Sequence, residues 1–274
     1  MDYRQIEVEI TGRIGKVVLN RPDYRNAQSR ILLEEMDHAF ADLAENKQVK
    51  VIILTGAGEH FSAGHDLGTS AEREDQQQRP IEEGVRGRFH RSRELFIDYN
   101  LRWRNLHKPT IAVVKGYCIF GGWMIASAMD LIFAADDAMF LATNFQYFSA
   151  PWDIQPRKLK EILFESRFIN GVEASQLGLV NRLYPKETLM AETIEYAERV
   201  AENDWFQLRM IKLAVNQAQD SQGFTTHISA AHTMHILSSE GERDPGFALR
   251  KPEGKRRPMV QRALENFERH QKEQ

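Results

Sequence analysis

The stretch from residue 108 to residue 135 combines a strand, a glycine turn, a short helix and a second strand. Residues 110–114 are β-branched or apolar, which is typical of a buried strand. Gly121 and Gly122 lie just before segment 123–129, whose apolar spacing predicts a helix. Because N–H groups are free at a helix N-terminus, this turn could hold a phosphate or a developing oxyanion. Glycines needed for packing alone would give the same pattern, and both interpretations stay open on this stretch.

A second predicted strand, residues 49–54, runs into another glycine-containing turn, TGAGEHFSAGHDL at 55–67. Two strands that each end in such a turn can aim two backbone N–H groups at one oxygen atom. Three motifs of the chain occur in the order and spacing found in the crotonase superfamily. They are NRPDYRNA at 20–27, this second turn, and KPTIAVVKGYCIFGG at 108–122. The chain therefore resembles the enoyl-CoA hydratase/isomerase enzymes, and the resemblance continues through GVEASQLGLVNRLYP at 171–185.

The composition limits the size of the fold and the class of partner. A chain of 274 residues can form one sizeable core, with or without a helical appendage. Its net charge of −3, from 36 basic and 39 acidic residues, gives no reason to expect nucleic acid as a partner. The single cysteine, Cys118, excludes an internal disulfide and favours a cytoplasmic location. No apolar run approaches the length that spans a membrane, so no membrane association is expected.

Strand–helix alternation followed by helices predicts an α/β core of residues 1–200 and a C-terminal helical region of residues 201–274. The resemblance implies that the core is a spiral of ββα units. It also implies that the C-terminal helices trimerise, which gives a homotrimer or a dimer of trimers. Apolar spacing predicts four helices at the C-terminal end, over residues 187–201, 204–218, 224–238 and 260–272.

Within the predicted core the chain is polar over residues 68–88, which predicts a loop or lid that is partly mobile. Residues 89–106 regain helical spacing and carry several arginines. These arginines could steer an anionic CoA thioester, or they could form a solvated face. The resemblance implies that this segment lines the acyl pocket, and its length then predicts a branched, cyclic or bulky acyl group.

The resemblance implies that the substrate is an acyl-CoA thioester, whose carbonyl oxygen lies between the backbone N–H groups of His65 and Gly121. Negative charge grows on that oxygen when the α-carbon loses or gains a proton, and each donor contributes about 2.7–4 kcal/mol. Arg25 matches a basic residue that contacts the CoA phosphates, although an exposed loop arginine is the alternative. The other residues expected around the substrate are Ala63, Asp66, Leu67, Met124, Asn144, Tyr147 and Trp152, with Asp66 alternatively a structural partner of the turn.

Hydratases of the family place one glutamate three residues after the oxyanion glycine and a second glutamate in a later loop. These positions carry Met124 and, in an ungapped alignment, Asn144. Methionine cannot transfer a proton, and asparagine can only form hydrogen bonds. No glutamate occurs between Leu141 and Lys160, so a shifted alignment would not restore the second glutamate.

Asp153 is the first candidate to replace the missing carboxylates, because some other members of the superfamily carry a working aspartate in this loop. Trp152 precedes it and could partly desolvate its carboxyl group, which would raise its pKa into a useful range. Capping of the helix that begins near Pro156 is the alternative role. The His65 side chain and Tyr147 are the next candidates.

Two further groups of residues have weaker signals. Phe267 and Lys272, on the last predicted helix, match residues that approach the adenine end of CoA, while an ordinary amphipathic helix is the alternative. His232 and His235 are three residues apart on one predicted helix and could share a metal ion. No third ligand accompanies them, so packing or an interface is the preferred interpretation. We expect no metal and no tightly bound cofactor, with coenzyme A as part of the substrate.

Three classes of function remain open. The first is a hydratase or isomerase reaction on an enoyl-CoA. The second is hydrolysis of a carbon–carbon bond or a thioester at the same oxyanion site. The third is binding of acyl-CoA without catalysis, by a relative that has lost its proton-transfer groups. The first is preferred because it is the commonest activity of the family, which is an argument by analogy.

Overall fold

The computed structural model describes residues 2–143, 146–240 and 257–273, so that Asn144, a predicted site residue, lies outside the described residues. The described chain forms nine strands: β1 (Ile6–Thr11), β2 (Ile14–Leu19), β3 (Val51–Gly56), β4 (Thr110–Val114), β5 (Tyr117–Ile119), β6 (Leu131–Ala135), β7 (Met139–Leu141), β8 (Ile169–Asn170) and β9 (Arg182–Tyr184). It also forms twelve α-helices: α1 (Arg30–Glu45), α2 (Ser70–Gln78), α3 (Gly84–Ser92), α4 (Tyr99–Arg104), α5 (Gly121–Ser127), α6 (Ala150–Asp153), α7 (Pro156–Glu165), α8 (Gly171–Gln176), α9 (Leu189–Ala201), α10 (Trp205–Ser221), α11 (Phe224–Ser238) and α12 (Pro258–Glu273).

The larger sheet has the strand order β1-β2-β3-β4-β6-β9. The hairpin β1–β2 is antiparallel, and every later neighbour pairs in parallel. Helices cover both faces of a parallel sheet, so its central strands are continuous apolar runs rather than alternating ones. β3 and β4 show this pattern, because every residue in them is buried. Helix α1 packs on one face and helix α9 on the other.

The smaller sheet, β5-β7-β8, lies beyond the ends of the main strands. β3 and β4 are parallel neighbours, with Leu54 opposite Ala112, so both strands end at the same edge of the sheet. The turn after β3 then reaches β5, where Ser62 forms a parallel bridge with Cys118. This pairing brings the two glycine turns predicted from the sequence together at one edge.

The prediction of a loop over residues 68–88 was wrong. Helix α2 occupies Ser70–Gln78, and α3 begins at Gly84. The Thr69 side chain accepts a hydrogen bond from the Glu72 N–H at 3.4 Å, which caps α2. Since α2 is polar, its buried residues are the carboxylates Glu72 and Asp75, which form ion pairs with arginines elsewhere in the chain.

Helices α3 and α4 are joined through a π-helical turn, Arg93–Asp98. Such turns inside α-helices occur frequently at functional sites. The predicted helix over residues 89–106 is therefore present, but its middle, Arg93–Asp98, is π-helical and not α-helical.

The four C-terminal helices lie where the sequence predicts them, with ends that differ by a few residues, and α11 has the predicted bounds. The division into two domains at residue 200 stays a prediction. Helix α10 exposes six large apolar residues to solvent, namely Trp205, Phe206, Met210, Ile211, Leu213 and Val215. None of the described helices combines the length and the apolar character needed to cross a membrane.

Candidate active site

A cavity of about 1030 Å³ opens where the two glycine turns meet. The turns contribute Ala63, His65, Leu67 and Phe120 to its wall, and the polar stretch before α1 contributes Arg25 and Gln28. Helices α1, α3 and α11, the π-helical turn, strand β5, the loop after β7 and the start of α12 contribute further residues. Of the predicted site residues, Arg25, Ala63, His65, Asp66 and Leu67 line this cavity.

The first turn is held by backbone hydrogen bonds on both sides. The Ala63 N–H donates to the Arg25 carbonyl oxygen at 2.9 Å, and the Gln28 N–H donates to the Gly64 carbonyl oxygen at 2.8 Å. The Asp66 N–H returns a bond to the Gln28 carbonyl oxygen at 2.9 Å. These bonds fix the backbone on either side of His65, and none of them uses the N–H group of His65 itself.

The N–H groups of His65 and Gly121 have no hydrogen-bond partner among the residues that the structure describes. The two turns that carry them are in close contact, since a Cβ atom on Gly64 would lie 3.1 Å from the Gly121 nitrogen. His65 lines the cavity, whereas Gly121 lies beneath the His65 ring and is absent from the described cavity walls. Unpaired N–H groups away from water are costly, so a pair of them on touching turns indicates a place for an acceptor oxygen.

Gly121 could not carry a side chain in this arrangement. A Cβ atom there would lie 2.5 Å from both Gln28 Oε1 and His65 Cε1. The residue before it, Phe120, has φ 52° and ψ −109°, a conformation that costs a non-glycine residue about 1–3 kcal/mol. Burial of the Phe120 ring against Met259 and Ala263 of α12 offsets this strain. The sequence analysis missed Phe120, because no local pattern signals a positive φ at phenylalanine.

The His65 ring lies over this site. It is stacked on Phe96 of the π-helical turn, with 3.5 Å between ring centroids. Both ring nitrogens are buried and have no hydrogen-bond partner within the described residues, although the residue as a whole is partly exposed. Burial, followed by the charges of His235 and Arg91, lowers the pKa of His65 to about 3. The imidazole is therefore neutral near pH 7.

Gln28 is a second polar group at this position that the sequence analysis missed. The Ser62 hydroxyl donates to the Asn26 carbonyl oxygen at 2.8 Å, so it accepts from Gln28 Nε2 at 3.2 Å. This fixes the amide orientation and leaves Gln28 Oε1 next to Gly121 as a buried acceptor without a partner in the described part of the chain. No sequence motif identifies Gln28, because its role depends on the fold.

Asp66 has the contacts of a structural partner of the turn. Its carboxylate pairs with the buried Arg21 at 2.9 Å and accepts a hydrogen bond from the Thr69 N–H at 2.8 Å. Burial alone would raise the pKa of Asp66, but hydrogen bonds from Thr69, Arg21 and Gly68 together lower it. Asp66 is thus an anion that fixes the start of α2.

Met124 lines a small inner cavity of about 20 Å³ behind Phe96. Gln146 and His235 border both this cavity and the larger one. Tyr147 and Trp152 line neither cavity within the described chain. The Tyr147 hydroxyl lies 3.2 Å from His227 Nε2, and Trp152 packs on Phe224 with 4.7 Å between ring centroids.

Asp153 is also absent from the described walls of both cavities. Its carboxylate accepts a hydrogen bond from the Ser149 hydroxyl. Burial raises the pKa of Asp153 to about 6, while the bond from Ser149 opposes the rise. Gln155, not Asp153, occupies the N-cap position of α7, and no side chain caps that helix. The structure gives Asp153 a pKa suited to proton transfer but does not bring it to His65 and Gly121.

Positive charge predominates on the described wall of the large cavity. Its arginines are Arg25, Arg30, Arg88, Arg91 and Arg257, against the carboxylates Asp23 and Asp66. Arg25 is exposed at the rim close to His60, whose pKa is lowered by burial and then by the Arg25 charge. The site therefore favours an anionic ligand.

The remaining predicted residues lie elsewhere. Phe267 packs beside Phe120 and Phe168 in a cluster of the same chain, and Lys272 is exposed. His232 Nε2 lies 2.7 Å from the Ser92 hydroxyl. Across residues 2–143, 146–240 and 257–273, no three histidine, cysteine, aspartate or glutamate side chains cluster as metal ligands would.

Comparison with known proteins identifies similar chains. The model of the enoyl-CoA hydratase/isomerase family matches residues 9–243. EchA13 of Mycobacterium tuberculosis, provisionally assigned as an enoyl-CoA hydratase, is 35% identical over 256 residues, which cover 86% of this chain and 80% of that protein. The crystal structure of a probable enoyl-CoA hydratase from Mycobacterium smegmatis is 40% identical, with a TM-score of 0.78 over 85% of this chain and 93% of that one. An enoyl-CoA hydratase/isomerase from Xanthobacter autotrophicus Py2 is 29% identical, with a TM-score of 0.78 over 86% and 87% of the two chains.

Proposed function

The chain belongs to the enoyl-CoA hydratase/isomerase family, and we propose that it acts on an acyl-CoA thioester held at His65 and Gly121. The crotonase-like fold predicted from the sequence is confirmed by the structural neighbours. One observation carries the proposal. Two N–H groups without partners in the described chain come from separate, touching turns, and one of them, that of His65, belongs to the wall of a cavity rich in arginine, while the other, that of Gly121, lies directly beneath the His65 ring.

These two N–H groups would act as an oxyanion hole. A thioester carbonyl oxygen that accepts hydrogen bonds from both donors withdraws electrons from the α-carbon. Loss or gain of a proton at that carbon places negative charge on the oxygen, where each donor is worth about 2.7–4 kcal/mol. Because the donors are backbone groups, the histidine side chain at 65 is free to have a separate role.

The CoA portion would lie towards the rim. Arg25 is exposed there and forms no ion pair with the described residues, so it can meet a phosphate group. We propose coenzyme A as a substrate component and no tightly bound cofactor. A cytoplasmic location, expected from the single cysteine, remains a prediction.

The reaction we propose is hydration or isomerisation of an enoyl-CoA with a branched, cyclic or bulky acyl group. The cavity volume of about 1030 Å³ supports a large ligand. Two groups compete for proton transfer. His65 lies at the cavity, and Asp153 has a pKa of about 6, which suits proton transfer. The geometry favours His65, but its pKa of about 3 makes it a weak base, so proton transfer would be slow.

A specific observation favours a second candidate function, binding of acyl-CoA without catalysis. Met124 replaces a carboxylate that hydratases of the family carry, and the carboxylates on the described cavity wall are Asp23 and Asp66. Asp66 is committed to Arg21 and Thr69. A binding protein needs the N–H pair and the positive wall, but no proton-transfer group.

The experiment is mass spectrometry of acyl-CoA mixtures incubated with the protein in heavy-oxygen water. The panel contains linear, branched, cyclic and aromatic enoyl- and oxoacyl-CoAs, tested with the wild type, His65→Phe and Asp153→Asn. Water added to an intact thioester supports the hydratase function, and the variant that abolishes it identifies the proton-transfer residue. Label in a free acid would assign a hydrolase instead.

Binding of the thioesters without chemical change would favour the second candidate. Measurement of proton exchange at the α-carbon in heavy water would separate this outcome from a silent isomerisation. Failure of every acyl-CoA to bind would overturn the proposed function altogether.

We also propose that the protein assembles as a homotrimer or a dimer of trimers. The exposed apolar residues of α10 support this, because Trp205, Ile211 and Val215 are each more than half exposed in the single chain, at 51%, 54% and 57%. Apolar patches of this kind usually mark an interface between proteins.

A further inference from the structure

The cavity wall beyond the His65 ring comes from α3, the π-helical turn and the end of α11. Leu95, Phe96 and Ile236 make part of it apolar. The other residues there are polar, namely Arg88, Arg91, Ser92, His235 and Ser239. A hydrocarbon chain would remove polar groups of this wall from water without offering them any hydrogen bond in exchange.

Arg91 is the most firmly positioned of these groups. Its guanidinium pairs with Glu72, whose side chain is 1% exposed. Glu72 in turn accepts hydrogen bonds from the Arg30 N–H at 3.0 Å and from Gln76 Nε2 at 2.8 Å. The Glu72 carboxylate, which is not part of the described cavity wall, therefore fixes the position of Arg91, which lines the cavity.

The Nε–H of Arg91 is buried and has no partner within the described chain. A buried donor without a partner is costly, and a charged one more so. The side chain as a whole is 26% exposed and lines the cavity, so an acceptor on a ligand there can bind the accessible part of the guanidinium. Carboxylate and phosphate oxygens are the acceptors that match the arginine fork, and an acyl group can carry a carboxylate.

Arg88 stands one helical turn before Arg91 and can assist it. It pairs with Glu240, and both side chains are substantially exposed, at 53% and 38%. Solvent-exposed pairs of this kind contribute little to stability, so Arg88 can exchange Glu240 for a ligand carboxylate at small cost.

From this arrangement we infer that the acyl group carries its own carboxylate, which Arg91 binds with help from Arg88. The substrate class is then the CoA thioester of a dicarboxylic acid. This inference rests on the proposed function, because it assumes that the thioester lies at His65 and Gly121. It adds a binding site for the far end of the acyl chain.

The test compares two saturated thioesters of equal chain length, glutaryl-CoA and pentanoyl-CoA, by isothermal titration calorimetry. Neither carries a double bond to hydrate, so binding is measured by itself. We expect the wild type to bind glutaryl-CoA at least about tenfold more tightly, as a charge-assisted hydrogen bond in a partly buried site would give. Equal or tighter binding of pentanoyl-CoA would overturn the inference.

Variants assign the preference to the arginines. Changing Arg91→Gln and Glu72→Gln together removes both charges and keeps a hydrogen-bonding pair, so the buried carboxylate is not left alone. This double variant should lose the preference for glutaryl-CoA and bind pentanoyl-CoA as before. The surface variant Arg88→Gln should reduce the preference in part. Retention of the full preference in both would overturn the assignment.

Arg93→Gln is the matched control. Arg93 lies two residues further along, pairs with Asp98 at 2.8 Å and is absent from the described wall of the cavity. Its replacement should leave the preference unchanged. If neither thioester binds the wild type, the proposed function fails, whereas binding of pentanoyl-CoA alone contradicts only the inference about the carboxylate.

Discussion

The imidazole of His65 lies face to face with the ring of Phe96, with 3.5 Å between centroids and 19° between planes. Phe96 belongs to the π-helical turn, so the winding of that helix determines where the His65 ring lies. The same ring covers Gly121, because its Cε1 atom would lie 2.5 Å from a Cβ atom there. His65 thus contributes its backbone to the proposed oxyanion hole and its side chain to the wall above it.

Acid is predicted to destabilise the folded protein through His65. Burial and the charges of His235 and Arg91 lower its pKa from 6.5 to about 3. The unfolded chain therefore binds more protons than the folded chain between these values, and stability falls as the pH falls through this window. Urea unfolding at a series of pH values from 7 to 4 would measure the loss. His65→Phe keeps an aromatic ring and should lose less stability, whereas identical losses would contradict the prediction.

Asp153 is predicted to have the opposite pH dependence. Burial raises its pKa from 3.8 to about 6, so the folded chain binds more protons in this window and stability falls as the pH rises. One pKa unit corresponds to about 1.4 kcal/mol, which places the effect at up to about 3 kcal/mol.

Asp153→Asn should therefore raise the melting temperature at pH 8 and change it little at pH 4. Thermal unfolding at both pH values checks this. Asp23→Asn, at an exposed residue, serves as the control. A destabilised Asp153→Asn variant at pH 8 would show that the carboxylate form has partners that favour its charge.

The sequence predicts the parts of this fold that depend on apolar spacing. Helix α11 has the predicted bounds, Phe224–Ser238, and β3 and β4 lie where buried strands are expected. Helix α2 escaped prediction because Glu72 and Asp75, not apolar residues, form its buried face. The Thr69–Glu72 spacing was the available signal, since threonine followed by glutamate three residues later is a capping pattern.

The candidate site shows the same limit. Motifs predict the two turns, and the structure brings them together. The positions of Gln28, Phe96 and Arg91 around them depend on contacts between distant segments, which a single sequence does not show. For the same reason the sequence could give Asp153 a plausible pKa but not its distance from the site.

A methyl group at Gly121 is predicted to disable the site. Its Cβ atom would meet Gln28 Oε1 and His65 Cε1 at 2.5 Å, so the turn or the ring must move. Displacement of one oxyanion donor should reduce turnover about 10²–10³-fold, since such a donor is worth roughly 2.7–4 kcal/mol. Steady-state kinetics of Gly121→Ala on a thioester that the wild type converts would measure the loss.

The double variant Gly121→Ala with His65→Ala tests the cause of that loss. His65→Ala keeps the N–H group and removes two of the three atoms nearest to the new methyl group. The double variant should therefore recover part of the thermal stability lost by Gly121→Ala. Full turnover by Gly121→Ala alone would mean that Gly121 does not hold the carbonyl oxygen.

A charge on α10 is predicted to break the assembly. Ile211 is one of the exposed apolar residues of that helix, at 54%. Burial of a glutamate in an interface without a partner is unfavourable, so Ile211→Glu should lower the molecular mass measured by light scattering after size-exclusion chromatography. Phe164→Glu, on α7 at a residue that is 83% exposed, is the control and should leave the mass unchanged. A wild-type protein with the mass of one chain would refute the prediction.

A carboxylate at Met124 is predicted to increase proton transfer. Met124 is 4% exposed and borders the inner cavity next to Phe96, three residues after Gly121. Burial raises the pKa of a carboxyl group, and a general acid or base contributes about 10²–10⁴-fold, so Met124→Glu should accelerate α-proton exchange at least about tenfold.

Met124→Gln has the same size and hydrogen-bonding capacity but transfers no proton, which makes it the matched control. Nuclear magnetic resonance of a bound thioester in heavy water measures both rates. A faster glutamate variant would mean that this chain keeps the oxyanion hole of its family and lacks one proton-transfer group. Equal rates for the two variants, with the ligand bound in each, would instead place the α-carbon away from residue 124.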